Sequence, residues 1–158
     1  MEPAALRRAL AGFDPAFVHG GRPVAVSISQ SAESGALYAP TTVQEIASIA
    51  HEHGLAVHMD GARFANAVAA LRISPAEASW KAGVDVLSFG GTKNGCWCAE
   101  AIVFFDREKA ADFAFNHKRA GQLFSKSRFV SAQFDAYLAD GLWPVSYTHL
   151  TLPTILLV

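Results

Sequence analysis

Hydrophobic positions along the chain alternate between two rhythms. Four short runs rich in β-branched and apolar residues, "PVAVSIS" (23–29), "LAVHM" (55–59), "VDVLSF" (84–89) and "AEAIVFF" (99–105), have the length and composition of buried strands. Between them the apolar spacing becomes helical. Residues 40–54 put Val43, Ile46, Ala47, Ile49 and Ala50 on one face, with Pro40 and Thr41 or Thr42 as the start and Gly54 as the stop. Residues 62–71 are alanine-rich and helical. Residues 74–83 open with a Ser74 cap and Pro75 in the first turn, and 106–121 run from Asp106 as cap to Gly121 as stop. Strands alternating with helices in this way predict an α/β fold, a mainly parallel sheet flanked by crossover helices. A short helical piece, 1–22, precedes the first strand.

Composition narrows the class. A chain of 158 residues that is 51% hydrophobic and 17% charged can bury a real core. Thirteen Lys and Arg against fourteen Asp and Glu leave a net charge of -1 with no basic stripe, which argues against nucleic acid and anionic membranes and for a small, roughly neutral partner. No apolar stretch reaches the roughly 20 residues a spanning helix needs, and the N-terminus lacks a secretory pattern. Cys96 and Cys98 lie two apart in "CWCAE", too poorly placed to bridge and without a second ligand pair for zinc, so no metal is expected. Free thiols fit a cytoplasmic location. Trp97, Phe104, Phe105, Phe113 and Phe115 are expected in the core or at a subunit contact. The last stretch, "PVSYTHLTLPTILLV" (144–158), has no charged side chain, and "VSYTHL" resembles the in-frame translation of a transposon-type sequencing adapter. It is expected to be a non-native read-through tail, with a genuine terminal strand as the alternative.

In an open α/β sheet, ligand-binding groups collect past the carboxyl ends of the strands. Three stretches fall there. "HMDGAR" follows one strand: Asp60 can pair with a protonated ring nitrogen, Gly61 lets a flat ligand approach, and Arg63 can bind an oxygen anion. Asp60 equally suits a cap before "GARFANA". "SFGGTKNG" (88–95) sets Lys93 between glycines, where a desolvated amine can form a Schiff base, although a solvated turn lysine has the same pattern; the P-loop glycine spacing is absent. "SISQSAESGALYAP" (27–40) offers Gln30, Ser31, Glu33 and Ser34 to a polar pocket or to solvent. His58 is expected on the opposite face of its strand from Asp60, in a core or supporting role. His51 and His53 sit at a helix end where the dipole favours them, and they are assigned no chemistry.

Taken in order, "SISQSAESGALYAP", "HGLAVHMDGARFANAVAAL", "AGVDVLSFGGTKNG" and "AEAIVFFDRE" resemble the large domain of the pyridoxal-phosphate-dependent threonine aldolase and aromatic amino acid β-eliminating lyase family, of the aspartate-aminotransferase fold type, and within it the low-specificity L-threonine aldolase branch. The resemblance covers 23–116. It implies that Lys93 is the Schiff-base lysine, that Asp60 pairs with the pyridinium nitrogen, that Arg63 bonds the cofactor's 3-oxygen, and that Gln30 and Thr92 contact the cofactor. It implies cleavage of L-threonine or a related β-hydroxy-α-amino acid to glycine and an aldehyde, in a homo-oligomer (dimer or tetramer). The family's phosphate-binding loop, its ring-stacking histidine and its carboxylate-binding arginine have no counterpart here. Residues 23–143 are therefore expected to be part of the large domain, a fragment inactive alone. Two other readings stay open on the same residues: another fold-type I lyase or transferase acting on amino acids, and a non-catalytic domain.

Overall fold

The computed structural model describes residues 1–14 and 16–143; the tail proposed for 144–158 lies outside them. Ten regular elements follow in order: α1 (Pro3–Ala11), β1 (Ala25–Ser29), α2 (Pro40–Glu52), β2 (Ala56–Gly61), α3 (Phe64–Leu71), α4 (Pro75–Ala78), β3 (Val86–Gly90), β4 (Glu100–Phe104), α5 (Phe113–Arg119) and α6 (Arg128–Leu138). The strands form one sheet in the order β1-β2-β3-β4. β1, β2 and β3 are parallel, and β4 returns antiparallel to β3. The expected α/β class, mainly parallel with flanking helices, is what the chain adopts.

Period-2 alternation explains which face is covered. Val26 and Ile28 of β1, Val57 and Met59 of β2, and Leu87 of β3 point to one side, where they meet Val43, Ile46, Ile49 and Ala50 of α2 and Phe64 and Val68 of α3. Leu6 of α1 joins the same core. Each fully buried aliphatic side chain of this set contributes about 1.5–3 kcal/mol. The other face carries Ser27, Ser29, His58, Asp60, Ser88 and Ile102, all exposed or half-buried. That polarity is legible in the alternation of "AVSIS" and "AVHMDG".

Local details depart from the sequence reading in three helices. α2 has Ala39 in the cap position and Pro40 inside the first turn, so neither Thr41 nor Thr42 caps it. At its other end His53 Nδ1 donates to the Ile49 carbonyl at 2.9 Å, before Gly54 turns away with φ +70. The predicted helix 74–83 begins as expected, with a Ser74–Glu77 capping box, but breaks after Ala78. A single tight turn at Trp80–Ala82 then leads to Gly83 at φ +91, where a Cβ would stand 2.6 Å from Ala47 Cβ; the chain turns there to press against α2. The predicted helix 106–121 also divides, into a turn at Glu108–Ala110 and α5. Asp106 Oδ1 does accept from the Glu108 N–H at 2.9 Å and Gly121 does close α5 at φ +73, but α5 buries no residue, so no packed face holds one long helix together. Trp97, 86% exposed, and Phe115 lie on the surface and not in the core, while Phe104 and Phe113 face each other.

At the amino edge of the sheet Asp85, just before β3, gathers three partners. Its Oδ2 accepts from the Val57 N–H at 2.7 Å and pairs with His51 Nε2 at 2.9 Å, and its Oδ1 pairs with Lys109. Burial pushes this carboxyl up, but Lys109, the Val57 amide and His51 outweigh it and hold the group below the usual aspartate range. α2, β2, β3 and the 108–110 turn are tied together at this point.

Candidate active site

The three parallel strands end side by side, with Ser29, Asp60 and Ser88 in register. The loops that follow therefore leave one edge of the sheet, and β4 begins there too, with Glu100 opposite Gly90. Asp60 is exposed at this edge. Its Oδ1 accepts from the Ala62 N–H at 3.0 Å, closing a local turn. α3 starts only at Phe64, with Arg63 in the cap position and no side-chain cap, so Asp60 is a strand-end residue and not a helix cap. Its Oδ2 has no hydrogen bond to any described residue.

Glycines bring the two central loops into contact. A Cβ on Gly61 would come 2.6 Å from Leu87 Cδ1 and 2.8 Å from the Ser88 carbonyl, and one on Gly90 would come 2.7 Å from Ala62 Cα. Neither position has room for a side chain. Past Gly90, Lys93 lies in the turn Thr92–Asn94. Thr92 Oγ1 accepts from the Ala99 N–H at 3.1 Å and its N–H donates to Glu100 Oε1 at 3.4 Å. Asn94, 2% exposed, donates from Nδ2 to Tyr137 of α6. Lys93 is thus held on both sides by its neighbours, while its own exposed ammonium forms no ion pair with a described residue.

The remaining sequence-predicted residues divide. Arg63 Nη2 donates to Glu33 Oε1 at 3.3 Å, linking the first loop to the second. Glu33 is 86% exposed, so the pair is weak and easily exchanged for another anion. Gln30 reaches the site through its backbone, its N–H donating to the Asp60 carbonyl at 2.9 Å. Its side chain is turned inward, 1% exposed, with Nε2 donating to the Tyr38 carbonyl at 2.9 Å and Oε1 accepting the Tyr38 N–H at 3.0 Å. That amide spends one donor and one acceptor on Tyr38 and so shapes the 30–38 loop.

His58 requires a correction. Residues two apart on a strand share a face, so His58 and Asp60 lie on the same side of β2, not on opposite sides. Its Nδ1 stands 2.8 Å from Ser27 Oγ and its Nε2 2.9 Å from Ser88 Oγ. Glu100, Ser27 and Ser88 were not singled out from the sequence; only the strand register brings them to this face and edge. Cys96 is pushed up in pKa by burial and then by Glu100, so it stays a thiol. Among the described residues no cluster of three or more His, Cys, Asp or Glu could hold a metal ion, and no helix is long and apolar enough to cross a membrane.

The chain is thus an α/β domain with a mainly parallel sheet, an aspartate at the end of β2 and a lysine in the loop after β3. The chain belongs to the β-eliminating lyase family, whose model matches residues 1–151. It is 52% identical over 126 residues to the low specificity L-threonine aldolases of Pseudomonas sp. and of Pseudomonas aeruginosa. Each match covers 80% of this chain and 36% of the relative, so the chain spans about a third of their length. A solved structure of the threonine aldolase of Leishmania major superposes with a TM-score of 0.84 at 26% identity, covering 94% of this chain and 43% of that one.

Proposed function

We propose that the chain supplies the lysine–aspartate–arginine part of a pyridoxal phosphate site, and that the longer protein containing it cleaves L-threonine and related β-hydroxy-α-amino acids to glycine and an aldehyde. One observation carries the reading: on two loops in contact at the carboxyl edge stand an exposed ammonium with no ion pair and an exposed carboxylate oxygen with no hydrogen bond among the described residues. The donor set fits the group. A cofactor aldehyde needs an amine free of ion pairs, and Lys93 has none with the described residues. A pyridine nitrogen needs an acceptor with spare capacity, which Asp60 Oδ2 offers. A ring oxygen needs a cation, and among the described residues Arg63 is held only by an exposed glutamate.

In this reading Lys93 Nζ, which has no ion pair among the described residues, would hold the cofactor at its aldehyde carbon and give place there to the substrate amine. Asp60 Oδ2 would accept from the ring nitrogen, while the Ala62 N–H on Oδ1 orients the carboxylate. Arg63 would exchange Glu33 for the ring oxygen. Thr92 holds the lysine turn to the start of β4 and donates no group to the chemistry. When bound, the cofactor supplies an electron sink for the pair left on Cα when the Cα–Cβ bond breaks. The β-hydroxyl loses its proton as its carbon becomes the aldehyde carbonyl, and Cα takes up a proton to give glycine.

The same proposal places the longer protein in the cytoplasm as a homo-oligomer; exposed Trp97, Phe129 and Leu138 are available for subunit contact. Product analysis with L-threonine and added cofactor tests the activity. Glycine and acetaldehyde in equal amounts, lost in Lys93→Ala, is the expected result. 2-Oxobutyrate and ammonia in place of glycine would instead assign a β-eliminating lyase, and turnover only with an added 2-oxo acid acceptor would assign a transferase.

A further inference from the structure

α6 has one stripe that is withdrawn from solvent. Val130, Gln133, Phe134 and Tyr137 follow one another at the three- and four-residue spacing of a single helix face, while the other positions of the helix are exposed. This face lies outside the core that α2 and α3 cover, and it is turned on the lysine loop. The Phe134 ring centroid stands 5.9 Å from that of Phe89 in β3, and a Cβ on Gly91 would come 3.1 Å from Phe134 Cε1. Tyr137, 4% exposed, stands 6.3 Å from Phe89 and accepts the Asn94 Nδ2 hydrogen bond. Asn94 Oδ1 is buried with no hydrogen bond to a described residue, so Tyr137 is that side chain's one anchor among them.

Gln133 commits its whole amide to the same loop and to its own helix. Oε1 accepts from the Trp97 N–H at 2.9 Å and the Cys98 N–H at 3.1 Å, and Nε2 donates to the Phe129 carbonyl at 3.1 Å and to Cys98 Sγ at 3.8 Å. An amide has two acceptor sites and two N–H groups, so all four are used. The loop also closes on itself. The Gly91 carbonyl accepts from the Asn94 and Cys96 N–H groups at 2.9 and 3.1 Å, and the Gly91 N–H donates to the Ala99 carbonyl at 2.9 Å. Two side chains one turn apart on α6 thus hold a closed loop at Asn94 and at 97–98. Lys93 immediately precedes the first hold and forms no ion pair with a described residue, so its placement is that of the loop.

We propose that Gln133 and Tyr137 are positioning residues for Lys93: they fasten the 91–99 loop to α6 so that the lysine, Asp60 and Arg63 engage one ring together. The inference rests on the cofactor reading above, and its test separates the two. The full chain is titrated with pyridoxal phosphate, and the visible spectrum of the Lys93-bound cofactor is taken as the difference from Lys93→Ala. Gln133→Met, which keeps the length and removes the amide, is expected to weaken binding by about tenfold, as is Tyr137→Phe, because a displaced reacting group loses its proximity. In an Asp60→Ala background each change is expected to cost less than about threefold, since placement of the lysine against the aspartate no longer counts. Asp85→Ala, which loosens the opposite edge, is expected to lower the thermal midpoint and leave the Lys93 affinity unchanged.

Unchanged affinity in both Gln133→Met and Tyr137→Phe, with Asp60→Ala still defective, would overturn this inference and leave the cofactor reading standing. So would the full loss recurring in the Asp60→Ala background, or an equal loss in Asp85→Ala, which would make the effect one of general stability. A visible spectrum that persists unaltered in Lys93→Ala would overturn both readings. Should Gln133→Met fail to fold, Tyr137→Phe, which removes one oxygen, decides the matter alone.

Discussion

The two edges of the sheet use charge in opposite ways. At the amino edge Asp85, its side chain 14% exposed, is spent on Val57, His51 and Lys109, and those groups in turn find their partners in it. Among the described residues of the carboxyl edge, Asp60 keeps one oxygen without a hydrogen bond, Lys93 has no ion-pair partner, and Arg63 is held only by an exposed glutamate. The first arrangement fastens elements together. The second is built from loops that glycines press into contact, and it leaves its charges available. Net charge or motif alone does not separate these cases, since both edges show an aspartate near a lysine; what separates them is whether the hydrogen-bonding capacity is already used.

The contrast can be broken most directly at Asp60. In the longer protein, Asp60→Ala is expected to lower kcat for threonine cleavage by roughly 100-fold or more, the scale of losing a preorganised charge, with a change in thermal stability near zero because the side chain is exposed. A kinetic and melting comparison with the unmodified protein checks both. Gly90→Ala is expected to damage both properties at once, costing about 1–3 kcal/mol in denaturant unfolding because the new methyl meets the Ala62 backbone at 2.7 Å.

Asp85→Ala should show the converse pattern. It leaves the Val57 amide without its acceptor and is expected to cost about 1–3 kcal/mol of stability, while cofactor capture by Lys93 continues. The pH dependence has a definite sign. The Asp85 carboxyl is held below its ordinary value in the folded chain, so its contribution is complete above the unfolded value of about 3.9 and is lost as the pH falls toward the folded value. The stability gap between the unmodified chain and Asp85→Ala should therefore be constant near neutrality and close below about pH 4. Glu33→Ala should have the smallest effect, under about 1 kcal/mol, because the pair it removes is solvent-exposed; it is also expected to improve anion binding at Arg63, measurable as inorganic phosphate or cofactor affinity.

The strands were readable because each buries one face, so β-branched runs and their alternation survive as a local signal. The helices at 74–83 and 106–121 were overextended for two different reasons. Gly83 must bend to pack on Ala47, which no local pattern shows, and α5 has no partner to bury against. Asp60, Arg63 and Lys93 stood out because strand-end loops carry their own punctuation of glycine and polar residues. The contacts of His58 with Ser27 and Ser88 did not, since the partners lie 30 or 31 residues apart and meet only through strand register. The Asn94–Tyr137 contact spans 43 residues and was invisible for the same reason. Gln30 was noticed for its polarity, but whether an amide faces a ligand or its own loop depends on a fold that the motif does not encode.

The carboxyl-edge groups are proposed to receive an aldehyde cofactor, whereas the charges of the amino edge are already committed to one another. Incubating the chain with limiting pyridoxal phosphate, reducing with borohydride and mapping the modified peptides compares Lys93 with Lys109 in one experiment. The phosphopyridoxyl group is expected predominantly on Lys93, with Lys109 protected by Asp85. Labelling spread evenly over Lys93, Lys109 and the other lysines would contradict this expectation.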